Sequence, residues 1–198
     1  MKTELLKVKE DTVITVTANT RFVLDFEEFT SEKRYSVDLR FEKEGVEAEL
    51  IALYTLGNGE KLDLTTVSSH MVPHTSCVAR VKGVLSEGSE SIYVGKIIID
   101  KNAQQTSSFL EDNVLVTGEN VVNKSSPNLQ IDANDVKASH GATTGRISEN
   151  EIFYLMSRGL SHTEAQDIII RGFFEEIISK IENEEVKKKI YERLSYSK

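Results

Sequence analysis

The segment NDVKASHGATTGR, residues 134–146, ends a β-rich region, and the segment ISENEIFYLMSRG, residues 147–159, begins a helical one. Upstream of this junction, short β-type runs are separated by Gly, Asn, Asp and Ser, the residues that turns favour. The small residues at 139–145 predict a loop between the two parts. We therefore expect a β region over residues 1–146 and a helical tail over residues 147–198.

Two capping boxes mark the helices of the tail. Ser148 with Glu151 opens the first helix, and Ser161 with Glu164 opens the second. In each box the Ser oxygen and the Glu carboxylate satisfy helix N–H groups that would otherwise be unpaired. Gly159 stands where a left-handed residue ends a helix. The tail is therefore expected to contain one helix before Gly159 and a longer one after it.

Composition and charge exclude several classes of protein. The chain has 198 residues, a net charge of −8 and a pI near 5.1, so nucleic acid, which requires a positive surface, is not an expected partner. No apolar run approaches the length of a membrane span, and the N-terminus lacks the apolar core of a signal peptide. A single cysteine, Cys77, excludes an intrachain disulfide and fits a reducing compartment. These observations predict a cytoplasmic protein that binds neither membrane nor nucleic acid.

The β region shows the alternation that half-buried strands require. Tyr35, Val37, Leu39 and Phe41 alternate with polar residues, and the run at 46–55 repeats this pattern less cleanly. Short strands with polar turns fit a sandwich, a barrel or a β-helix. The pattern alone leaves these three architectures open.

The longer helix of the tail carries two apolar stripes rather than one. The first stripe comprises Ala165, Ile169, Phe173, Ile177 and Ile181, and the second comprises Ile170, Phe174 and Ile178. A surface helix needs only one stripe against its own core, so two stripes predict burial on more than one side. A tight helical bundle packed on the end of the β region and a docking face for another protein both satisfy this requirement.

The pattern Asp-Val-Lys-x-Ser-His-Gly-Ala-Thr-x-Gly-Arg-Ile at 135–147 resembles the C-terminal signature of the SufB/SufD family, the scaffold proteins of iron–sulfur cluster assembly, and is nearer to its SufD branch. The similarity continues more weakly upstream to about His70. The resemblance implies a mainly β fold, a right-handed parallel β-helix core with a C-terminal α-helical domain. Residues 1–65 match no known pattern, and the alternative for them is a separate cap with antiparallel strands. Family members are usually longer, so we expect a minimal version or a truncation.

The resemblance also implies a function. It is that of a non-catalytic scaffold subunit that couples a SufC-type ATPase to the assembly and transfer of a transient iron–sulfur cluster, with no resident cofactor. The implied partners are the ATPase, bound by the C-terminal helices, and a second SufB/SufD-like subunit in a homodimer or heterodimer. Candidate partner-binding residues are Ile152, Phe153, Tyr154, Arg158, Ile170, Phe173, Phe174 and Ile178. No P-loop or nucleophile-elbow motif occurs, so the chain is not expected to be an enzyme.

His140 is the candidate metal or cluster residue, because the resemblance places it at a histidine implicated in cluster assembly and because neutral imidazole binds iron. The alternative is a structural histidine that fixes a turn. Two positions depart from the family pattern. Ala138 stands where SufD-like chains often carry cysteine, and Asp112, counted between Ala103 and Gly118, stands where the SufB branch carries one. We expect Asp112 to be a solvated turn residue. These departures favour, as an alternative function, an inert regulatory paralogue that binds the ATPase without holding a cluster.

His70, His74 and Cys77 form a second constellation with the spacing of a zinc or iron site. It supports a competing hypothesis, a stand-alone metal-binding β protein. Pro73 lies between the histidines, so they do not share a helix face. We favour a structural role for all three residues, with Cys77 as a buried small apolar side chain.

Overall fold

A computed structural model describes residues 1–31 and 33–194 of the chain. Within these residues, eleven strands precede three helices. The strands are β1 (Lys2–Lys7), β2 (Thr12–Thr15), β3 (Thr20–Asp25), β4 (Arg34–Phe41), β5 (Glu47–Leu56), β6 (Lys61–His70), β7 (Ser76–Leu85), β8 (Glu90–Ile99), β9 (Ser107–Val116), β10 (Val122–Ile131) and β11 (Lys137–Arg146). The helices are α1 (Glu149–Ser157), α2 (His162–Ile178) and α3 (Glu184–Arg193). Residues 195–198 of the predicted tail lie outside the described residues.

Successive strands alternate between two sheets. The odd-numbered strands form a six-stranded sheet in the order β1-β3-β5-β7-β9-β11, and the even-numbered strands form a five-stranded sheet in the order β10-β8-β6-β4-β2. Every pairing within the two sheets is parallel. The chain is therefore mainly β, a parallel β-solenoid of about five turns followed by three helices.

The predicted β-helix and the antiparallel alternative for residues 1–65 have different outcomes. The β-helix prediction is confirmed, while its right-handedness stays a prediction. The antiparallel alternative for residues 1–65 is wrong, because β1 pairs in parallel with β3 and β2 pairs in parallel with β4. Residues 139–145 form part of β11 rather than a loop. Their small side chains gave no period-2 signal, although backbone pairing with β9 makes them a strand.

The space between the two sheets forms the main core. The alternating residues of β4, which are Tyr35, Val37, Leu39 and Phe41, are all buried there. Burying each such side chain stabilises the fold by about 1.5–3 kcal/mol. Two tyrosines within this core bond to hydroxyls, Tyr54 to Ser91 across 2.9 Å and Tyr93 to Thr66 across 2.7 Å. Interior polar groups of the solenoid are thus mostly paired, as burial requires.

The helical tail packs on the outer face of the six-stranded sheet. Val23, Ile51, Leu53 and Val84 point outward from β3, β5 and β7 and form a second apolar cluster with α2 and α3. Members of both apolar stripes of α2 are buried, and the sheet supplies part of the surface that buries them. The bundle interpretation placed this packing at the end of the solenoid, which is wrong. The run at 50–53 already carried the signal, since continuous apolar residues mark a strand buried on both faces.

Of the three sequence signals for helix ends in the tail, two are confirmed and one is wrong. The Ser161 capping box is confirmed, with the Ser161 side chain accepting from the Glu164 N–H and the Glu164 carboxylate accepting from the Ser161 N–H. Ser148 does precede α1, but its side chain makes no capping bond to a described residue, so that box is wrong. Gly159 has φ +96° and follows the end of α1, as predicted. No helix within residues 1–31 and 33–194 combines the length and apolar character needed to cross a membrane.

Candidate functional site at the last coil

The last coil of the solenoid, β10 and β11, leaves one edge of each sheet open. In the described chain β11 pairs with β9 alone and β10 pairs with β8 alone. An unpaired edge presents backbone N–H and C=O groups that can pair with a strand from another chain. Pro127 in β10 has no N–H to offer, so β10 presents fewer donors than β11.

His140 lies in the middle of β11, exposed to solvent. It is in register with Leu110 of β9, whose side chain is buried in the main core. Register neighbours in parallel strands project from the same face, so the imidazole belongs to the row of residues that face the interior. Because β11 is the last strand of its sheet, this interior position is accessible. An exposed imidazole can bind a metal ion without any rearrangement of the core.

Asp112 of β9 lies one coil below this row and is only 1% exposed. Neither carboxylate oxygen has a hydrogen-bond partner among the described residues, and the same holds for the hydroxyl of Ser125 on β10. Burial raises the pKa of Asp112 to about 6. The prediction of a solvated turn residue is therefore wrong. Register decides its position, since Asp112 falls on the inward row with Leu110 and Val114.

Polar groups continue from Asp112 to the open end. The Asn123 amide nitrogen on β10 donates to the Thr144 hydroxyl on β11 across 2.8 Å, which ties the two sheets together at the last coil. The Asn123 amide oxygen is buried and has no partner among the described residues. The end of the solenoid thus holds buried polar atoms without partners among the described residues, whereas the tyrosines buried in the earlier coils are hydrogen-bonded. Unpaired buried polar groups cost free energy, and they are concentrated at functional sites.

The donor set at this end is incomplete for a cluster. Iron–sulfur clusters are held mainly by thiolates, and the sequence contains one cysteine. Cys77 is buried inside the solenoid, its sulfur lies 3.2 Å from the Ser68 hydroxyl, and burial raises its pKa to about 12. The thiol is therefore neither ionised nor accessible. The described residues at this end supply one exposed imidazole and one buried carboxylate, fewer donors than a cluster requires.

The second constellation does not form a metal site. His70 is fully buried, stacks on Phe41 with ring centroids 4.3 Å apart, and bonds through its two nitrogens to Thr75 and Ser108. Burial lowers its pKa to about 4, which keeps it neutral. His74 instead faces Glu44 on the surface. In the described part of the chain, no three His, Cys, Asp or Glu residues are arranged to hold a metal ion. The structural interpretation of His70 and Cys77 fits these contacts.

The candidate partner-binding residues divide into two groups. Ile152, Ile170, Phe174 and Ile178 are buried within the chain, and Phe173 is half-buried. Phe153 and Tyr154 on α1 are 74% and 57% exposed, and Arg158 lies over the Tyr154 ring, 5.3 Å from its centroid. Met156 on α1 and Ile168 on α2 are also exposed and were missed, since no stripe pattern singles them out. Of the candidate residues, only the aromatic pair on α1 and Arg158 are exposed to solvent.

Comparison with known proteins gives the family. Residues 14–173 match the domain described as "SUF system FeS cluster assembly, SufBD core domain". An iron–sulfur cluster assembly SufBD family protein of Mycobacterium leprae is 33% identical over 165 residues, which cover 79% of this chain and 42% of that protein. The iron–sulfur cluster assembly protein SufD of Escherichia coli is 35% identical over 113 residues, covering 57% of this chain and 27% of SufD. The chain thus spans less than half the length of these relatives, and on its match to the core domain it belongs to the SufBD family.

Proposed function

We propose that this chain is a scaffold subunit of a Suf-type iron–sulfur cluster assembly complex, acting through the open last coil of its solenoid. The observation that carries the proposal is the exposed His140 on an unpaired edge strand, above a buried carboxylate. In this role the chain is non-catalytic and works in the cytoplasm, where its single cysteine fits the reducing conditions. The cluster is its cargo and not a resident cofactor.

A second SufB/SufD-like subunit is the partner at the last coil. The open edge of β11 supplies backbone donors and acceptors for an added strand. The missing thiolates also require this partner, because His140 alone cannot hold a cluster. Pairing at this edge would place the partner's ligands beside His140, so that the cluster is built between two chains.

A SufC-type ATPase is the partner of the helical tail. Phe153 and Tyr154 form an exposed aromatic pair with Arg158, and aromatic and arginine side chains dominate the energetics of many protein interfaces. Because α2 and α3 are packed on the six-stranded sheet, movement of the docked ATPase would act directly on the sheet that carries β11.

The docking proposal is tested with the full chain and a SufC-type ATPase from the same genome. We expect Phe153→Ala with Tyr154→Ala to weaken binding at least about tenfold in calorimetry, as for other aromatic anchors. Tyr191→Ala on α3, where the aromatic side chain is 45% exposed, is the control and should bind like the native chain. Equal binding by all three proteins would contradict docking through α1.

The cluster proposal is tested by anaerobic reconstitution with iron and sulfide. The chain together with a SufB-type partner should form a chromophore that is lost or shifted in His140→Ala. Absence of any chromophore, with ATPase binding intact, would instead favour the inert regulatory paralogue. The absence of a cysteine at position 138 and the burial of Cys77 support that second candidate.

A further inference from the structure

A row of polar side chains crosses the outer face of the six-stranded sheet, from β3 to β11. We call it the outer ladder, and its members are Arg21, Glu49, Arg80, Glu111, Asn113 and Thr143. They lie on β3, β5, β7, β9 and β11. Five of the six strands of this sheet, all except β1, therefore contribute to one connected set of contacts.

Glu49 holds the centre of the outer ladder. One of its carboxylate oxygens accepts from the Arg21 guanidinium and the other accepts from the Arg80 guanidinium. Its side chain is 13% exposed, so the two ion pairs are screened less by solvent than pairs on the open surface. A single carboxylate thus joins β3 to β7 across β5.

One end of the outer ladder holds the end of α2. The Arg21 guanidinium, besides bonding Glu49, donates to the carbonyl oxygen of Lys180 across 2.6 Å. Lys180 lies two residues past α2, where backbone carbonyls lack helical partners and the helix dipole favours a cation. Arg21 therefore satisfies this carbonyl and fixes the end of α2 on the sheet.

The other end of the outer ladder reaches the strand of His140. Glu111 lies 3.9 Å from the Arg80 guanidinium and accepts from the Asn113 amide across 2.8 Å. The Asn113 amide oxygen in turn accepts from the Thr143 hydroxyl of β11. Thr143 is three residues from His140 on the same strand. The chain of contacts thus runs without a gap from the end of α2 to the middle of the open edge.

We propose that the outer ladder is a positioning device, which couples the seating of α2 on the sheet to the order of the edge strand β11. Coupling between distant sites travels through contiguous contacts of this kind, and it must act equally in both directions. The importance of this coupling for cluster assembly rests on the proposed function of His140. The coupling itself is measured on the free chain, without ATPase or cluster, so its failure would leave the proposed function standing.

The first test is hydrogen exchange on Glu49→Gln, which keeps the side-chain shape and removes the charge. We expect the amides of β11 and of residues 176–181 to exchange at least about fivefold faster. The amides of β10 provide the internal control, because β10 shares the last coil but belongs to the other sheet. Equal acceleration in β10 would indicate general destabilisation and overturn the proposal, as would an unchanged β11.

Two further variants complete the test. Glu90→Gln removes an ion pair of similar type, Lys61 with Glu90 at 2.9 Å on the five-stranded sheet, and should leave β11 and α2 unchanged. Thr143→Val breaks the last link of the outer ladder at the strand edge, far from α2. Reciprocal coupling requires faster amide exchange at residues 176–181 in Thr143→Val. In Glu49→Gln, we also expect a shift of the His140 imidazole resonance. Exchange at residues 176–181 that does not respond to Thr143→Val would refute the coupling.

Discussion

Lys82 of β7 and Glu176 of α2 form an ion pair that fastens the helical tail to the solenoid, with 2.6 Å between the ammonium nitrogen and a carboxylate oxygen. The Lys82 side chain is 4% exposed, and its ammonium also donates to the Phe173 carbonyl across 2.8 Å and lies 4.6 Å from the centroid of the Phe173 ring. The hydrogen bond from Lys82 is the largest influence on the pKa of Glu176, and it lowers that pKa. A charge this deeply buried depends on its partners.

Replacing Glu176 with Ala should weaken the fold, because it leaves the buried Lys82 ammonium with the Phe173 carbonyl and ring alone. We expect a loss of about 1–2 kcal/mol in the free energy of unfolding, reduced from the value for a fully buried pair because Glu176 is largely exposed. Urea denaturation measures this loss. Glu192→Ala, which removes an exposed ion pair with Lys188 at 3.9 Å, is the control and should change stability little. Similar losses in both variants would argue against a special role for Lys82.

Replacing Asp112 with Asn should stabilise the protein at alkaline pH. The folded-state pKa near 6 lies above the ordinary value of 3.8, so the ionised carboxylate destabilises the fold, and stability falls as pH rises from about 4 to about 6. Above that window the penalty is on the order of 3 kcal/mol. Asp112→Asn should therefore gain stability at pH 8 and lose this advantage near pH 4. Asp132→Asn, at an exposed position, should show no such dependence.

His70 should produce the opposite pH dependence. Its folded-state pKa near 4 lies below the ordinary value of 6.5, so the unfolded chain binds a proton first, and stability falls as pH drops from about 6.5 to about 4. The loss is on the order of 3 kcal/mol. His70→Gln in an Asp112→Asn background should remove most of this slope in denaturation curves recorded from pH 7 to pH 4. A slope that survives the substitution would assign the acid sensitivity to other groups.

A methyl group at position 83 should disrupt the core. A Cβ added to Gly83 would lie 2.3 Å from the Tyr54 ring, so Gly83→Ala must displace a buried tyrosine that is bonded to Ser91. We expect a loss of about 1–3 kcal/mol. Gly172→Ala on α2 is the matched control, because its added Cβ meets no described atom within 4 Å. Gly172→Ala should gain about 0.5–1 kcal/mol in the free energy of unfolding, because Ala has a higher helix propensity than Gly. Thermal denaturation should therefore show a lower Tm for Gly83→Ala and a higher Tm for Gly172→Ala.

The positions of the elements could be predicted from local patterns. The alternation in β4, the capping box at Ser161 and the helix end at Gly159 each depend on contacts within one strand or one helical turn. The same patterns left sandwich, barrel and β-helix open, because all three architectures use short alternating strands. The family resemblance, and not periodicity, selected the solenoid.

The exposed surfaces and the candidate site at the last coil could not be predicted, because burial depends on the register between coils that are distant in sequence. Strand register buries Asp112 inside the solenoid and places His140 on the last, open strand. Nothing in the neighbouring residues indicates that the first is buried and the second exposed. Packing on the sheet likewise buried Phe174 and left Phe153 exposed, although both are aromatic helix residues. The linear sequence thus determined which segments become strands and helices, since those preferences are local. Which side chains face a partner followed only from the assembled coils, because burial is a property of neighbours that the chain brings together by folding.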